Sequence, residues 1–358
     1  MSAAASTADS VLDPSGHLPS FGEGDALTSN ISLHHHQPMF KSAATQTGNK
    51  YHTCKYTPQQ VSQYYTKFVP VENLWDYFKP PRPETADDLV EYYAMSNSIE
   101  ESEALRDWSV GHEGIKKHFH SAAQMRDLLA QSGTGRYDAG AIHLGPLENL
   151  ATTRAVSKQF VVDLDMTDYA RLRTLCGCGT GEDEESKTRM CHICINAGTA
   201  ISRVLIDAFE QLLHCKKVDF LFSGGRGFHI RVRDYKVHYW GGQKTRKWVT
   251  EEVLNKLEIN YPQLCEPLRL ASSRLGFDLK IIMDSNVSKQ IGKLTRAPFS
   301  VHQSTGRICT FFQKPEDLTL IEQVPTIVEV LKSNAITPCK SFADSLAYLR
   351  SAIGGSKN

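Results

Sequence analysis

The sequence predicts a fold that mixes helices with strands, and three observations predict it. Gln159 to Asp165 (QFVVDLD) is an apolar run of strand length that carries two aspartates one residue apart. Lys217 to Asp234 (KVDFLFSGGRGFHIRVRD) alternates apolar and polar side chains on both sides of a glycine-rich turn, the pattern of a hairpin. Between them Ile201, Val204, Leu205, Ala208, Phe209 and Leu212 recur at helical spacing. At 358 residues the chain has room for one large or two ordinary domains. Its formal net charge is zero, so a nucleic-acid partner has to be met by a local basic surface and not by the field of the whole chain. No run of about 18 apolar residues is present, so no membrane span is expected. The N-terminus has no basic start followed by an apolar stretch, and its first basic residue is Lys41, which argues against secretion and against a transit peptide. Nine cysteines without a secretion signal are expected to be free thiols or metal ligands.

Taken in order, residues 1–50 are rich in Ala, Ser, Thr, Gly and His and read as a disordered tail, with the His34-His35-His36 run incidental. Order begins near Tyr56. TPQQVSQYYTKFV offers Thr57 as N-cap and Val61, Tyr64, Tyr65 and Phe68 at helical spacing, and Pro70 helps to stop the helix. A proline-rich break (KPPRPETADD) and an acidic segment through Glu103 read as an insertion. Arg106 to Val110 and Tyr137 to Leu144 read as strands flanking the amphipathic helix of AAQMRDLLAQ. Beyond the hairpin, Tyr239 to Leu275 is helical by pattern. Its start sets Lys244, Arg246 and Lys247 beside Trp240 and Trp248, which suits either a nucleic-acid backbone or a plain surface helix. Phe277 to Asp284 reads as a further strand, and the most basic stretch follows it: Lys289, Lys293, Arg296, His302 and Arg307. VPTIVEVLKS and FADSLAYLRSAI read as two closing helices before a short tail.

On a strand Val161, Asp163 and Asp165 share one face and Val162, Leu164 and Met166 the other, so the apolar set is expected in the core and the acidic set exposed. Carboxylates at that spacing repel, by roughly 3 kcal/mol at ~5 Å and an effective dielectric near 20. A hard divalent cation such as Mg²⁺ or Mn²⁺, shared with substrate phosphates, relieves the repulsion. A lone DxD is as often a solvated strand end. The glycine turn tips the balance, because Gly224, Gly225 and Gly227 let backbone approach a ligand while Arg226 and His229 supply donors suited to phosphate. A second metal pattern lies between. Cys176 and Cys178 are separated by twelve residues from Cys191 and Cys194, two thiolate pairs that can close a tetrahedral zinc shell in a structural role. The polar linker between them has too little apolar content to fold alone, which is where a structural metal helps. His192 could replace one cysteine, and four free thiols or a CxxC redox pair are the competing readings.

Three segments in series, FVVDLDMTDY, SGGRGFHI and MDSNVSK…PFSVHQSTGRI, resemble the catalytic small subunit of the archaeal and eukaryotic DNA primase. YTPQQVSQYYTKFVP, RDWS, YDAGAI and VPTI extend the likeness over most of residues 55–350. The resemblance implies an α+β archaeo-eukaryotic primase catalytic core at 51–350, in which an RRM-like sheet is paired with a second sheet. A zinc-binding loop is inserted at 176–194, a reduced helical subdomain at about 240–276, and a tail follows at 351–358. It also implies synthesis of short RNA primers on single-stranded DNA by two-metal nucleotidyl transfer, with Asp163, Asp165 and Asp284 holding catalytic Mg²⁺ or Mn²⁺. Ser223, Arg226 and His229 match the family's nucleotide motif, Asn286 and His302 its residues near the bound nucleotide, and Asp138 an acidic nucleotide contact. Arg296, with Lys293 nearby, stands where a lysine is common, and Lys117 replaces the basic contact that follows RDWS. Gly225 stands where eukaryotic members are often basic, so a phosphate donor is missing or supplied by Arg231. The partners implied are ribonucleoside triphosphates, a single-stranded DNA template, the primase large subunit and, in a eukaryote, the DNA polymerase alpha complex. The compartment implied is the nucleus in a eukaryote and otherwise the cytoplasm. The runner-up is a primase-polymerase that extends primers in repair or translesion synthesis. Outside the family, a DxD glycosyltransferase leaves SGGRGFH and Asp284 without a role, and a zinc-stabilised nucleic-acid-binding module leaves all three acids without one.

Overall fold

The computed structural model describes residues 56–79, 105–110, 116–119, 121–144, 154–179, 181, 184–238, 243–333 and 339–354. The expected tail at 1–50, the insertion through Glu103 and Trp240 lie outside the described residues. Two antiparallel sheets carry the fold. β1 (Leu105–Val110), β2 (Lys116–Phe119), β3 (Tyr137–Leu144) and β4 (Arg154–Ser157) form the first, in the order β2-β1-β3-β4. β5 (Phe160–Asp165), β6 (Val218–Phe222) and β7 (Gly227–Val232) form most of the second. Two short late strands, β8 (Thr295–Arg296) and β9 (Thr310–Phe312), join β3 and β6, so the second sheet runs β5-β7-β6-β9.

The second sheet is built on a hairpin whose register pairs Phe222 with Phe228 and Phe220 with Ile230. One face is fully apolar. Phe160, Val162, Leu164, Phe222, Phe228, Ile230 and Val232 are sealed from solvent under the helix His192–Asp207. Each such side chain contributes roughly 1.5–3 kcal/mol when fully buried. The helix comes close because it carries Gly198 where it crosses the sheet, and a Cβ there would stand 2.1 Å from Phe228 Cε2.

On the other face Asp163 and Asp165 are part-exposed, as expected, but the rest of the face is covered. Val161, His229, Arg231 and Arg233 are all buried, because this face is the seam against the first sheet and the flanking helices. Leu221 and Phe311 belong to a second apolar cluster with Tyr64, Tyr65, Tyr137 and Phe299. The polar side chains tolerate burial because each finds partners. Arg233 pairs with Asp219, whose carboxylate also accepts from the Tyr77 and Tyr348 hydroxyls, both at 2.8 Å. Arg231 donates to Thr295 Oγ1 at 2.9 Å and to the Arg296 carbonyl at 2.6 Å. It is therefore not the spare phosphate donor that the sequence suggested.

Most other elements fall where the patterns put them. The first helix, Pro58–Lys67, is closed by a capping box of Thr57 and Gln60. Pro70 stops it and also precedes a second helix, Val71–Tyr77. Residues 243–275 are helical in short pieces, among them Gln243–Trp248, Leu257–Asn260 and Glu266–Leu275. The segment from Phe277 to Asp284 is not a strand, since no ladder partner lies beside it among the described residues. The last helix, Lys340–Gly354, runs four residues past the boundary expected at 350.

Candidate active site

Three acids converge at the end of β5. Asp163 stands opposite His229 in the ladder and Asp165 opposite Gly227. Asp284 is 121 residues away from Asp163 in sequence, yet its backbone N–H donates to the Asp163 carbonyl at 3.0 Å. Two further contacts hold it there. Ser288 Oγ donates to the Val161 carbonyl at 3.0 Å. The Tyr169 hydroxyl donates to the Ile282 carbonyl at 3.0 Å and accepts from the Ile282 N–H at 2.9 Å. The side chains of Asp163 and Asp165 are 30% and 42% exposed, and Asp284 is exposed, so all three are open to an incoming ligand.

Each carboxylate is engaged locally. Asp165 Oδ1 accepts from Arg226 Nε at 2.9 Å and from the Thr167 N–H at 2.9 Å. Burial pushes Asp165 up, but the Thr167 amide and Arg226 outweigh it and hold the carboxyl below its usual range. Asp284 caps the helix Ser285–Lys289 by accepting from the Asn286 N–H at 2.9 Å. Asp163 Oδ1 lies 3.3 Å from His229 Nε2. Burial pulls that imidazole down, and the Asp163 carboxylate more than reverses it, pushing His229 up to about 9. Asp168, one turn past β5, feels all three acids. Burial and then Asp165, Asp284 and Asp163 push it up. Three hard oxygen donors without a sulfur among them fit Mg²⁺ or Mn²⁺. Among the described residues they do not form a cluster as tight as that of the cysteines below, and each is engaged by its own partner: Arg226, His229 or the Asn286 amide.

The glycine turn faces this edge. Ser223 Oγ accepts from the N–H groups of Gly225 and Gly227, at 3.4 and 3.0 Å, and so shapes the loop. Gly224 has φ of +85°, where an L side chain is strained, and a Cβ on it would meet the Arg307 carbonyl at 2.6 Å. A Cβ on Gly225 would stand 2.4 Å from His302 Nε2, so the missing basic side chain leaves the space in which His302 sits. His302 Nδ1 accepts from the Thr305 N–H at 3.4 Å, which places its proton on Nε2. Burial, joined by Arg296, Arg226, Arg136 and Arg307, pulls His302 down to about 3, so it is a neutral donor. Arg296 reaches the Ser223 carbonyl at 3.5 Å and pairs in register with Asp138. Sequence reading missed Arg136, which donates to Asp138 Oδ2 at 3.1 and 2.9 Å while the buried Oδ1 has no partner. Its position two residues before Asp138 was the signal. Lys293 is exposed, with its carbonyl taken by Lys158. Lys117 lies in β2, and its side chain is outside the described residues.

Cys176, Cys178, Cys191 and Cys194 bring their sulfurs within 4.8 Å of one another, with 3.4 Å between Cys176 and Cys194 and 3.9 Å between Cys191 and Cys194. A tetrahedron of ~2.3 Å Zn–S bonds spaces its sulfurs by about 3.8 Å, so the four residues fit zinc. His192 is not in the group. Arg173, buried beneath the loop, donates to the carbonyls of Cys178, Lys187 and Arg189 at 3.0 to 3.1 Å. Arg226 donates to that same Lys187 carbonyl at 3.1 Å, which ties the cysteine loop to the acid site.

A profile of the DNA primase small subunit matches residues 162–313. The DNA primase small subunit PriS of Saccharolobus solfataricus is 23% identical over 249 residues, covering 64% of this chain and 71% of that protein. The DNA primase small subunit of Saccharomyces cerevisiae is 25% identical over 179 residues, 48% of this chain and 38% of the relative. That of Drosophila melanogaster is 32% identical over 100 residues, 28% of this chain and 20% of the relative. The chain thus spans most of the archaeal protein's length and well under half of the eukaryotic ones. Among solved structures, the polymerase domain of Mycobacterium tuberculosis ligase D in complex with DNA has a TM-score of 0.34 at 16% identity, over 75% of this chain and 89% of that one.

Proposed function

We infer, from a chain related through residues 162–313 to the DNA primase small subunits of archaea and eukaryotes, that this protein is a nucleotidyltransferase making short RNA primers on single-stranded DNA. The observation that carries the reading is the meeting of Asp284 with the Asp163–Asp165 strand, opposite Arg226 and His229. Asp163, Asp165 and Asp284 are the residues that would hold Mg²⁺ or Mn²⁺, and such ions stabilise the attacking and leaving oxygens of an in-line displacement. Every other role falls to the chain's own groups. Arg226, Arg296 and the neutral His302 Nε2–H bind the triphosphate and balance charge that gathers on pyrophosphate. His229, charged at neutral pH, orients Asp163. The unpartnered Asp138 Oδ1 accepts from the bound nucleotide, with Arg136 fixing its carboxylate. Ser223 shapes the loop, while Asn286 and Lys293 flank the nucleotide from the segment after Asp284. Residues 51–350 form the catalytic domain in this reading, with the cysteine loop at 176–194 holding a structural zinc and the pieces within 240–276 a reduced helical subdomain. A companion large subunit and, in a eukaryote, the DNA polymerase alpha complex would share the template. The zero net charge of this chain leaves much of the template affinity to such a partner.

The test is dinucleotide and primer synthesis on an unprimed single-stranded template by Asp163→Ala and Asp284→Ala proteins of native circular dichroism. Both are expected to lose activity by at least a hundredfold. Wild-type rates from folded Asp163→Ala would sink the reading. Comparing ribonucleotide with deoxyribonucleotide incorporation on unprimed and primed templates separates primer synthesis from primer extension.

A further inference from the structure

The seam between the sheets contains a feature that the nucleotide site does not use. A cavity of about 10 Å³ lies beside the start of β5, lined in part by Phe78, Gly140, Ser157, Lys158, Gln159 and Arg231. That is room for one water-sized occupant. Two of its lining residues are cations shut away from solvent: Lys158 is 4% exposed and Arg231 is 2% exposed. Neither is paired with a carboxylate. Lys158 Nζ donates to the carbonyls of Lys293 at 2.6 Å and Gln290 at 3.4 Å. Arg231 gives its two terminal nitrogens to Gln159 Oε1, Thr295 Oγ1 and the Arg296 carbonyl, while its Nε–H is buried without a partner. Burial pulls the Lys158 ammonium well below its ordinary value, and Arg246, Arg231 and Lys293 push in the same direction. Buried cations left without negative charge are among the least favourable arrangements that a fold can hold.

We propose that this cavity binds one small monoatomic anion of the halide class, held by the Arg231 Nε–H and the Lys158 ammonium. None of the residues assigned to the triphosphate lines it, which separates this site from the nucleotide pocket. Its occupant has structural leverage. Lys158 and Arg231 together hold the carbonyls of Gln290, Lys293 and Arg296, so an anion that keeps both cations in place steadies the segment presenting Lys293 and Arg296.

The experiment compares thermal unfolding of the full chain in sodium chloride or bromide with sodium gluconate at equal ionic strength. The halides are expected to raise the midpoint saturably, by about 3 °C at roughly ten times the dissociation constant, and Arg231→Met is expected to lose the dependence. Because that variant can fail to fold, the second measurement uses the wild-type chain. Crystals grown in sodium bromide are searched for anomalous scattering in the cavity. A bromine peak between Lys158 and Arg231 supports the site. No peak overturns it, whatever the midpoints do, and assigns the cavity to water. Neither readout involves primer synthesis, so the proposal stands or falls apart from the assigned activity.

Discussion

His229 and His302 respond to pH in opposite directions. His229 titrates at about 9 in the fold against an ordinary 6.5, so its stabilisation is complete below about pH 6.5 and is lost as pH rises through 9. His302 titrates at about 3, so the unfolded chain takes up a proton that the fold refuses, and stability falls as pH drops from 6.5 toward 3. Thermal midpoints from pH 4 to 9 should peak near 6.5, with losses on the order of 2–4 kcal/mol at the extremes. His229→Gln is expected to flatten the alkaline limb and His302→Gln the acid limb. At the neighbouring pair, Arg226→Met should release Asp165 to titrate nearer the ordinary carboxylate value, read by carbon NMR of the carboxyl. It should also weaken triphosphate binding more than tenfold, read by calorimetry. Asp163, Asp165, Arg226 and His229 were legible in the sequence because each lies within a short segment of fixed spacing. The fit of His302 beside Gly225 was not, since it joins loops 77 residues apart and depends on the missing Cβ. Arg231 misled for a related reason. In sequence it reads as a phosphate donor standing in for the basic residue missing at Gly225, and only the second layer shows its face to be covered.

The cysteine loop shows what an element can transmit. It contributes few apolar side chains, and its shape is set by the sulfur cluster and by Arg173 reaching three carbonyls from below. In the proposed zinc-bound form, stripping the metal by chelation, or making Cys178→Ser, should therefore lower the unfolding midpoint and raise amide hydrogen exchange across 184–190. Since Arg226 bonds the Lys187 carbonyl, triphosphate affinity should fall as well. Unchanged exchange after zinc removal would assign the loop's order to protein contacts alone. The hairpin of β6 and β7, the helix over it and both closing helices could be read from periodicity, because a buried face imposes its period on the residues that fill it. Phe277 to Asp284 alternates less cleanly and was taken for a strand. Its backbone is secured by the Tyr169 and Ser272 hydroxyls, the Glu258 carboxylate and a main-chain bond to β5, contacts that leave no period behind.

At the scale of the molecule, both faces of the second sheet are buried away from the Asp163–Asp165 end of β5, and the polar one is secured at Asp219. That carboxylate receives Arg233 from just past β7, Tyr77 from the helix Val71–Tyr77 and Tyr348 from the last helix, so one side chain joins the two ends of the described chain to the central sheet. Asp219→Ala leaves Arg233 buried and unpaired, and should cost about 3–5 kcal/mol in denaturant unfolding. Deleting residues 340–354 should be at least as damaging, since Phe342 and Leu349 are fully buried and Ser345 Oγ accepts from the Phe311 N–H. The hold of Tyr169 on Ile282 has a different bearing. It isolates the third carboxylate from whatever length of polypeptide precedes it, so segments upstream of Ile282 can grow or shrink without dragging Asp284 out of line, whereas adding or removing a single residue between Ile282 and Asp284 should disable the enzyme in a protein that still folds.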